Sequence, residues 1–175
     1  MLECIYFFII GAFIGWVLEF IFRLTVGHLE TTPGILNTPF CILYGLGTVV
    51  LSLVITNITT NFILLFILSM IILTILEYAT FVILQKAYGV KLWDYTNMKF
   101  SLDEKVCLEF SIIWGVLGAV YIKYLLPYLK EMYLNMNSQA LVITLYSILT
   151  VIVIDFIYSS KVLLVRKVKS IVTNK

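Results

Sequence analysis

Charge is what this sequence has least of: 13% of its 175 residues are Asp, Glu, Lys or Arg, against 62% hydrophobic ones. That balance excludes an ordinary soluble domain, in which about a quarter of the residues are charged. A net charge of +2 is too small to draw nucleic acid, so the placement of the charges matters more than their sum. Histidine occurs once, at His28. There is therefore no HExxH, and a zinc site would depend on carboxylates alone around it; a loop histidine without a role is the simpler reading. Cys4, Cys41 and Cys107 form no CxxC and no paired spacing, which suits small buried hydrophobes better than disulfides or metal ligands. No Gly-x-x-x-x-Gly-Lys occurs, so any ATP hydrolysis must come from a partner. No Lys or Arg precedes Arg23; a cleaved signal begins with a basic segment, so the first apolar run reads as a retained helix.

Long apolar runs are present in quantity. The run from Phe62 to Leu84 holds one ionisable acid, Glu77, and at about 1.5 Å per residue it crosses a hydrocarbon core of about 30 Å. Only helices and closed barrels satisfy their own backbone in lipid, and the alternating polarity of a barrel strand is absent. The predicted fold is all-α: a polytopic membrane helix bundle of about five spans, at residues 4–24, 40–55, 62–84, 106–126 and 140–163. These form one membrane domain, 1–163, followed by a basic tail, 164–175. Gly11, Gly15 and Glu19 share one face of span one, a face on which another helix can approach closely. Residues 33–44 are too apolar for a simple loop and too short to span, and read as a re-entrant segment; such a segment needs protein cover or a wet cavity. Within it Asn37 and Thr38 read as caps of a helix opening at Pro39, where a missing N–H costs nothing. A polar connection is expected from Pro127 to Gln139.

Ten Lys and Arg fall on the side of Arg23, Lys86 and the tail, and two, Lys123 and Lys130, on the other. The positive-inside rule then sets the N-terminus outside and the C-terminus inside. On that orientation Glu19, Glu77, Glu109 and Asp155 all lie in the cytoplasmic half, Glu77 about 10 Å and Asp155 about 12 Å deep at helical rise. Acids at that depth are expensive and tend to line functional cavities. Arg23 follows Glu19 by four residues, the favoured order for a helical ion pair. The expected site is a polar cavity open to the cytoplasm, lined by Glu19, Arg23, Glu77 and Asp155 and edged by Asn37, Trp93, Asp94 and Tyr95. Interhelical hydrogen bonding by separate acids is the plainer alternative.

The same residues carry a resemblance. Gly15-Trp16 with Glu19, Pro33-Gly34 with Asn37 and Pro39, Leu43-Tyr44-Gly45, Glu77-Tyr78, Trp93-Asp94-Tyr95 and Trp114-Gly115 follow one another in order. From about Ile10 to Pro127 the chain resembles the Putative ABC-transporter type IV family of small, CmpB-like membrane proteins. The resemblance implies a multi-pass protein of the bacterial cytoplasmic membrane, a permease working with a separate ATPase subunit.

Three functions are open on these residues. The first is a transport subunit that binds a small solute or cation near the inner-side acids, with membrane lipids, an ATPase subunit and a further copy of the chain as partners. The second is an intramembrane enzyme on a lipid-linked substrate, with Glu77 and Asp94 or Asp155 as an acid–base pair or as oxygen ligands of a divalent cation. No nucleophile–base pair supports it, and no cofactor is otherwise expected. The third is a scaffold whose basic tail rests on anionic lipid.

Overall fold

The computed structural model describes residues 1–26, 34–56, 58–136 and 138–173. His28 and Pro33, together with Asn57 and Lys175, lie outside the described residues, so the readings made on them rest on sequence alone. Each long apolar run is helical: α1 (Leu2–Val26), α3 (Phe62–Tyr88) and α6 (Ser138–Thr173), with the shorter α2 (Ile42–Val54) between the first two. The fourth rod is α4 (Leu108–Val120), a π-helical turn (Tyr121–Leu125) and α5 (Leu126–Asn135) in continuous succession. Four stretches, Leu2–Thr25, Phe62–Tyr88, Leu108–Asn135 and Gln139–Lys169, are long and apolar enough to cross a membrane. Helix α2, with 13 residues, rises only about 20 Å.

Two readings of the sequence are corrected here. The stretch after Pro127 is helical to Asn135 rather than a polar connection. Proline has no N–H to close an α-helical bond, and the wider π-helical turn just before it lets the rod continue. Helix α2 begins at Ile42, three residues beyond Pro39, and its N-cap, Cys41, makes no side-chain cap bond. Asn37 and Thr38 are therefore not its caps. Their backbone N–H groups donate to Asp155 on α6 instead, at 2.9 and 2.7 Å, and Cys41 N donates to the Ala12 carbonyl of α1 at 2.9 Å. This is how irregular backbone beside membrane helices finds its partners.

The helices meet on small residues. A Cβ on Gly11 or Gly15 of α1 would fall 2.3 Å from Thr48 or 2.1 Å from Tyr44 of α2, and one on Gly118 of α4 would fall 2.4 Å from Ser69 of α3. These glycines set the closest approaches of the bundle, as the small-residue face of span one predicts. At one end, Lys167 of α6 donates to the last-turn carbonyls of α3, Lys86 O at 2.7 Å and Ala87 O at 3.1 Å. Gly89, at φ +70°, ends α3 there. Successive helices alternate in direction, so the C-terminal ends of α1, α3 and α6 and the start of α4 gather at that end. Lys123 sits over the Phe62 ring at the other.

Between α3 and α4, a two-stranded hairpin pairs β1 (Ser101–Leu102) with β2 (Val106–Cys107). Its turn runs through Asp103 at φ +47° and Glu104 at φ +63°, a left-handed pair closed by Lys105 N to Leu102 O at 3.0 Å.

Candidate functional site

A cavity of about 890 Å³ opens where the C-terminal half of α1, the start of α2, α3 and α4 converge beneath the 92–98 loop. Six of the eight residues expected at the site line it: Glu19, Arg23, Glu77, Trp93, Asp94 and Tyr95. Asn37 and Asp155 do not; they meet each other beside it.

Glu77 is the most deeply buried acid of the lining. Its side chain is 2% exposed, and Oε1 accepts from the Tyr95 hydroxyl at 3.0 Å. The indole N–H of Trp114 faces the carboxylate without closing a hydrogen bond, and both Trp114 Nε1 and Glu77 Oε2 are buried and unbonded among the described residues. A buried carboxylate oxygen without a donor is costly, and such exceptions in a native fold call for a physical reason. Across the cavity, Glu19 Oε1 accepts from Tyr44 OH at 3.2 Å, and its Oε2 lies 3.7 Å from Arg23 Nε.

The loop that closes the cavity is tied down by the hairpin. Trp93 Nε1 donates to Lys105 O at 2.8 Å, Tyr95 N to Glu104 O at 3.0 Å, and Lys91 Nζ pairs with Glu104 at 2.6 Å. Non-glycine residues at positive φ cost energy and persist where their surroundings over-determine them. Here the left-handed turn aims two carbonyls at the loop. Burial, and after it the Glu77 carboxylate, raise the Tyr95 phenol above its ordinary value, so its hydroxyl remains a donor. Asp94 is exposed, and its Oδ1 accepts from Thr96 N at 2.9 Å and Thr96 Oγ1 at 2.5 Å. Those bonds, the side-chain one first, hold its carboxyl below the usual 3.8. Asp94 thus stands at the rim as an ionised turn residue.

Asp155 has a different setting. Its carboxylate accepts from Asn37 N, Thr38 N, Thr38 Oγ1, Asn37 Nδ2 and Ser159 Oγ at 2.6–3.2 Å. Every oxygen is used, and the group locks α6 to the segment before α2.

The sequence reading missed Tyr44, Phe110 and Trp114 as site residues. All three line the cavity: Tyr44 and Trp114 have ring centroids 5.0 Å apart, and Phe110 stacks on Tyr95 at 4.8 Å. Trp114 carried a signal, because it shares a helix face with Ser111, Gly115 and Gly118 and its indole N–H needs an acceptor that an apolar span rarely supplies. Among the described residues, no three His, Cys, Asp or Glu side chains come together as a metal-binding group.

Four helices long and apolar enough to cross a membrane are the build of a multi-pass membrane protein. The chain belongs to the family described as Putative ABC-transporter type IV, which matches residues 6–160. The match reaches past Pro127, where the sequence resemblance was drawn to a close, and takes in Asp155 and Ser159 of α6. Comparison with curated proteins and with solved structures returns no match.

Proposed function

We propose that the chain is the membrane subunit of a transporter in a bacterial cytoplasmic membrane, and that a small solute or cation enters its cavity from the inner face. The observation that carries this reading is Glu77: an acid 2% exposed in the lining of a cavity of about 890 Å³, bonded on one carboxylate oxygen and buried without a partner on the other. Intramembrane acids facing such a space mark substrate and ion pathways. Glu19, Arg23, Trp93, Asp94 and Tyr95 form the rest of the binding wall, with Tyr44 and Trp114 added, while Asp155 and Asn37 hold the backbone that borders it. Family membership supports a transport role, and because no P-loop occurs in the sequence the reading includes a separate subunit for ATP hydrolysis.

Native mass spectrometry of the protein extracted gently from its own membranes tests this. The wild type carries a bound small molecule or an ATPase subunit, and Glu77→Gln inserts normally but loses the small molecule. Equal ligand retention by Glu77→Gln overturns the site. A protein that carries lipid alone overturns the transport reading in favour of an enzyme or a scaffold.

A further inference from the structure

A second cavity, of about 160 Å³, lies deeper between the helices and shares Leu18, Leu43, Tyr44, Trp114 and Leu117 with the first as a common wall. Its lining is aliphatic, with Ile10, Ile14, Leu51, Leu73 and Leu76 typical. Besides the shared Tyr44 and Trp114, two polar side chains touch it and both are already engaged: Thr48 Oγ1 donates to backbone carbonyls at 2.8 and 3.0 Å, and Tyr121 OH bonds Ser52 at 2.9 Å. The polar chamber and the apolar chamber thus meet at the Tyr44–Trp114 pair. Among the described residues the Trp114 indole closes no hydrogen bond, and its ring meets that of Tyr44 at 5.0 Å.

We propose that the ligand is an amphiphilic organic cation, with an ammonium-type head against Glu77 and the aromatic rings and a short apolar tail beyond the Tyr44–Trp114 partition. The inference rests on the transport reading above and adds the substrate class. Three features select it. Among the described residues, the lining of the head chamber carries three acids, Glu19, Glu77 and Asp94, against one cation, Arg23, which disfavours an anion. Trp93, Tyr95, Phe110 and Trp114 line it too, and aromatic faces attract alkylammonium groups. The buried Glu77 oxygen without a partner calls for a positive or donating group, which an uncharged hydrocarbon lacks. A bare divalent ion asks for about six or more oxygen ligands and would leave the apolar chamber unused.

The test uses the full chain in phosphatidylcholine nanodiscs and a series of n-alkyltrimethylammonium ions from methyl to octyl, with calorimetry and tryptophan quenching as readouts. Affinity is expected to rise about fourfold per methylene. The rise should level off near a benzene-sized tail, because a cavity of about 150 Å³ holds benzene. Uncharged 2,2-dimethylalkanes of matching chain length, in which carbon replaces the ammonium nitrogen, should bind the wild type at least tenfold more weakly; this comparison needs no variant. Leu76→Trp, which fills the apolar chamber, should keep tetramethylammonium binding and lose the chain-length dependence. Glu77→Gln should weaken the whole series.

Binding that depends on Glu77 but not on chain length overturns the tail chamber and leaves the transport site standing. Equal binding of charged and uncharged analogues overturns the cation. A chain-length dependence that survives both variants is partition into lipid and overturns the assignment altogether. Failure of every member to bind, while a small molecule still travels with the extracted wild type, overturns the substrate class alone.

Discussion

Glu77 and Asp155 are both acids inside apolar helices, exposed by 2% and 8%, and their hydrogen bonds divide them. Asp155 receives five donors, two of them backbone N–H groups of the segment before α2. Glu77 receives one, from Tyr95. Hydrogen bonds to a charged group contribute about 1.5–3 kcal/mol each and are not additive. Asp155→Ala should therefore lower stability by at least about 3 kcal/mol, read as a fall in the thermal unfolding midpoint, while Ser159→Ala costs about 1 kcal/mol. Equal, small effects of the two would refute the lock. Asp94 gives a pH prediction. Its folded pKa is depressed, so its contribution to the loop is present above 3.8 and is lost as pH falls through the lower folded value. Thr96→Val removes the hydroxyl donor and keeps the amide; the Asp94 titration midpoint, followed by carboxyl carbon NMR, should move up toward 3.8. An unmoved midpoint would mean that the backbone bond alone sets it.

Among the elements, α3 and α4 meet closely at Gly118, where a Cβ would fall 2.4 Å from Ser69. Overpacking a close contact costs about 1–3 kcal/mol, so Gly118→Val should lower the unfolding midpoint, and Ser69→Gly should restore part of the loss. Lys167 gives a second prediction at this scale. Its ammonium bonds the Lys86 and Ala87 carbonyls, the C-terminal groups that a helix leaves without partners. Lys167→Met should cost about 0.3–1 kcal/mol and speed amide exchange in the last turn of α3 alone. Protection unchanged in that turn would show that the contact contributes nothing.

These elements also show what the sequence could reveal. The Gly11–Gly15 face and the ion pair of Glu19 and Arg23 were legible, because both follow from helical spacing within one element. The role of Asp155 was not. Four of its five donors stand more than a hundred positions away, and a buried acid reads alike from sequence whether its oxygens are satisfied or not. The continuation through Pro127 was hidden for a local reason: proline reads as a helix stop, and only the π-helical turn before it makes room for the rod to go on.

At the scale of the whole molecule, the charges sort by end. Arg23, Lys86, Lys91 and Lys167 belong to the end that holds the polar cavity, as their contacts with Glu19, the Trp93–Tyr95 loop and α3 require. Lys123 belongs to the opposite end, over Phe62. Most of the candidate cavity was legible for the same reason: its acids and its tryptophan loop sit at one depth along alternating helices, and depth follows from counting. What counting cannot give is the side of a helix that a neighbour covers, which is why Tyr44 and Trp114 emerged only with the packing. The direction of the bundle in the membrane decides whether the cavity meets the inner solution, and the bias of basic residues toward the cytoplasm predicts that it does. In a cysteine-free background, Lys130→Cys should react with a membrane-impermeant maleimide in intact cells, and Lys99→Cys only after permeabilisation. The reverse pattern would place the cavity on the outer face and turn an acceptor of internal solutes into an acceptor of external ones. Labelling of both positions in intact cells would mean that the bundle inserts in both directions, which ten cations against two argue against.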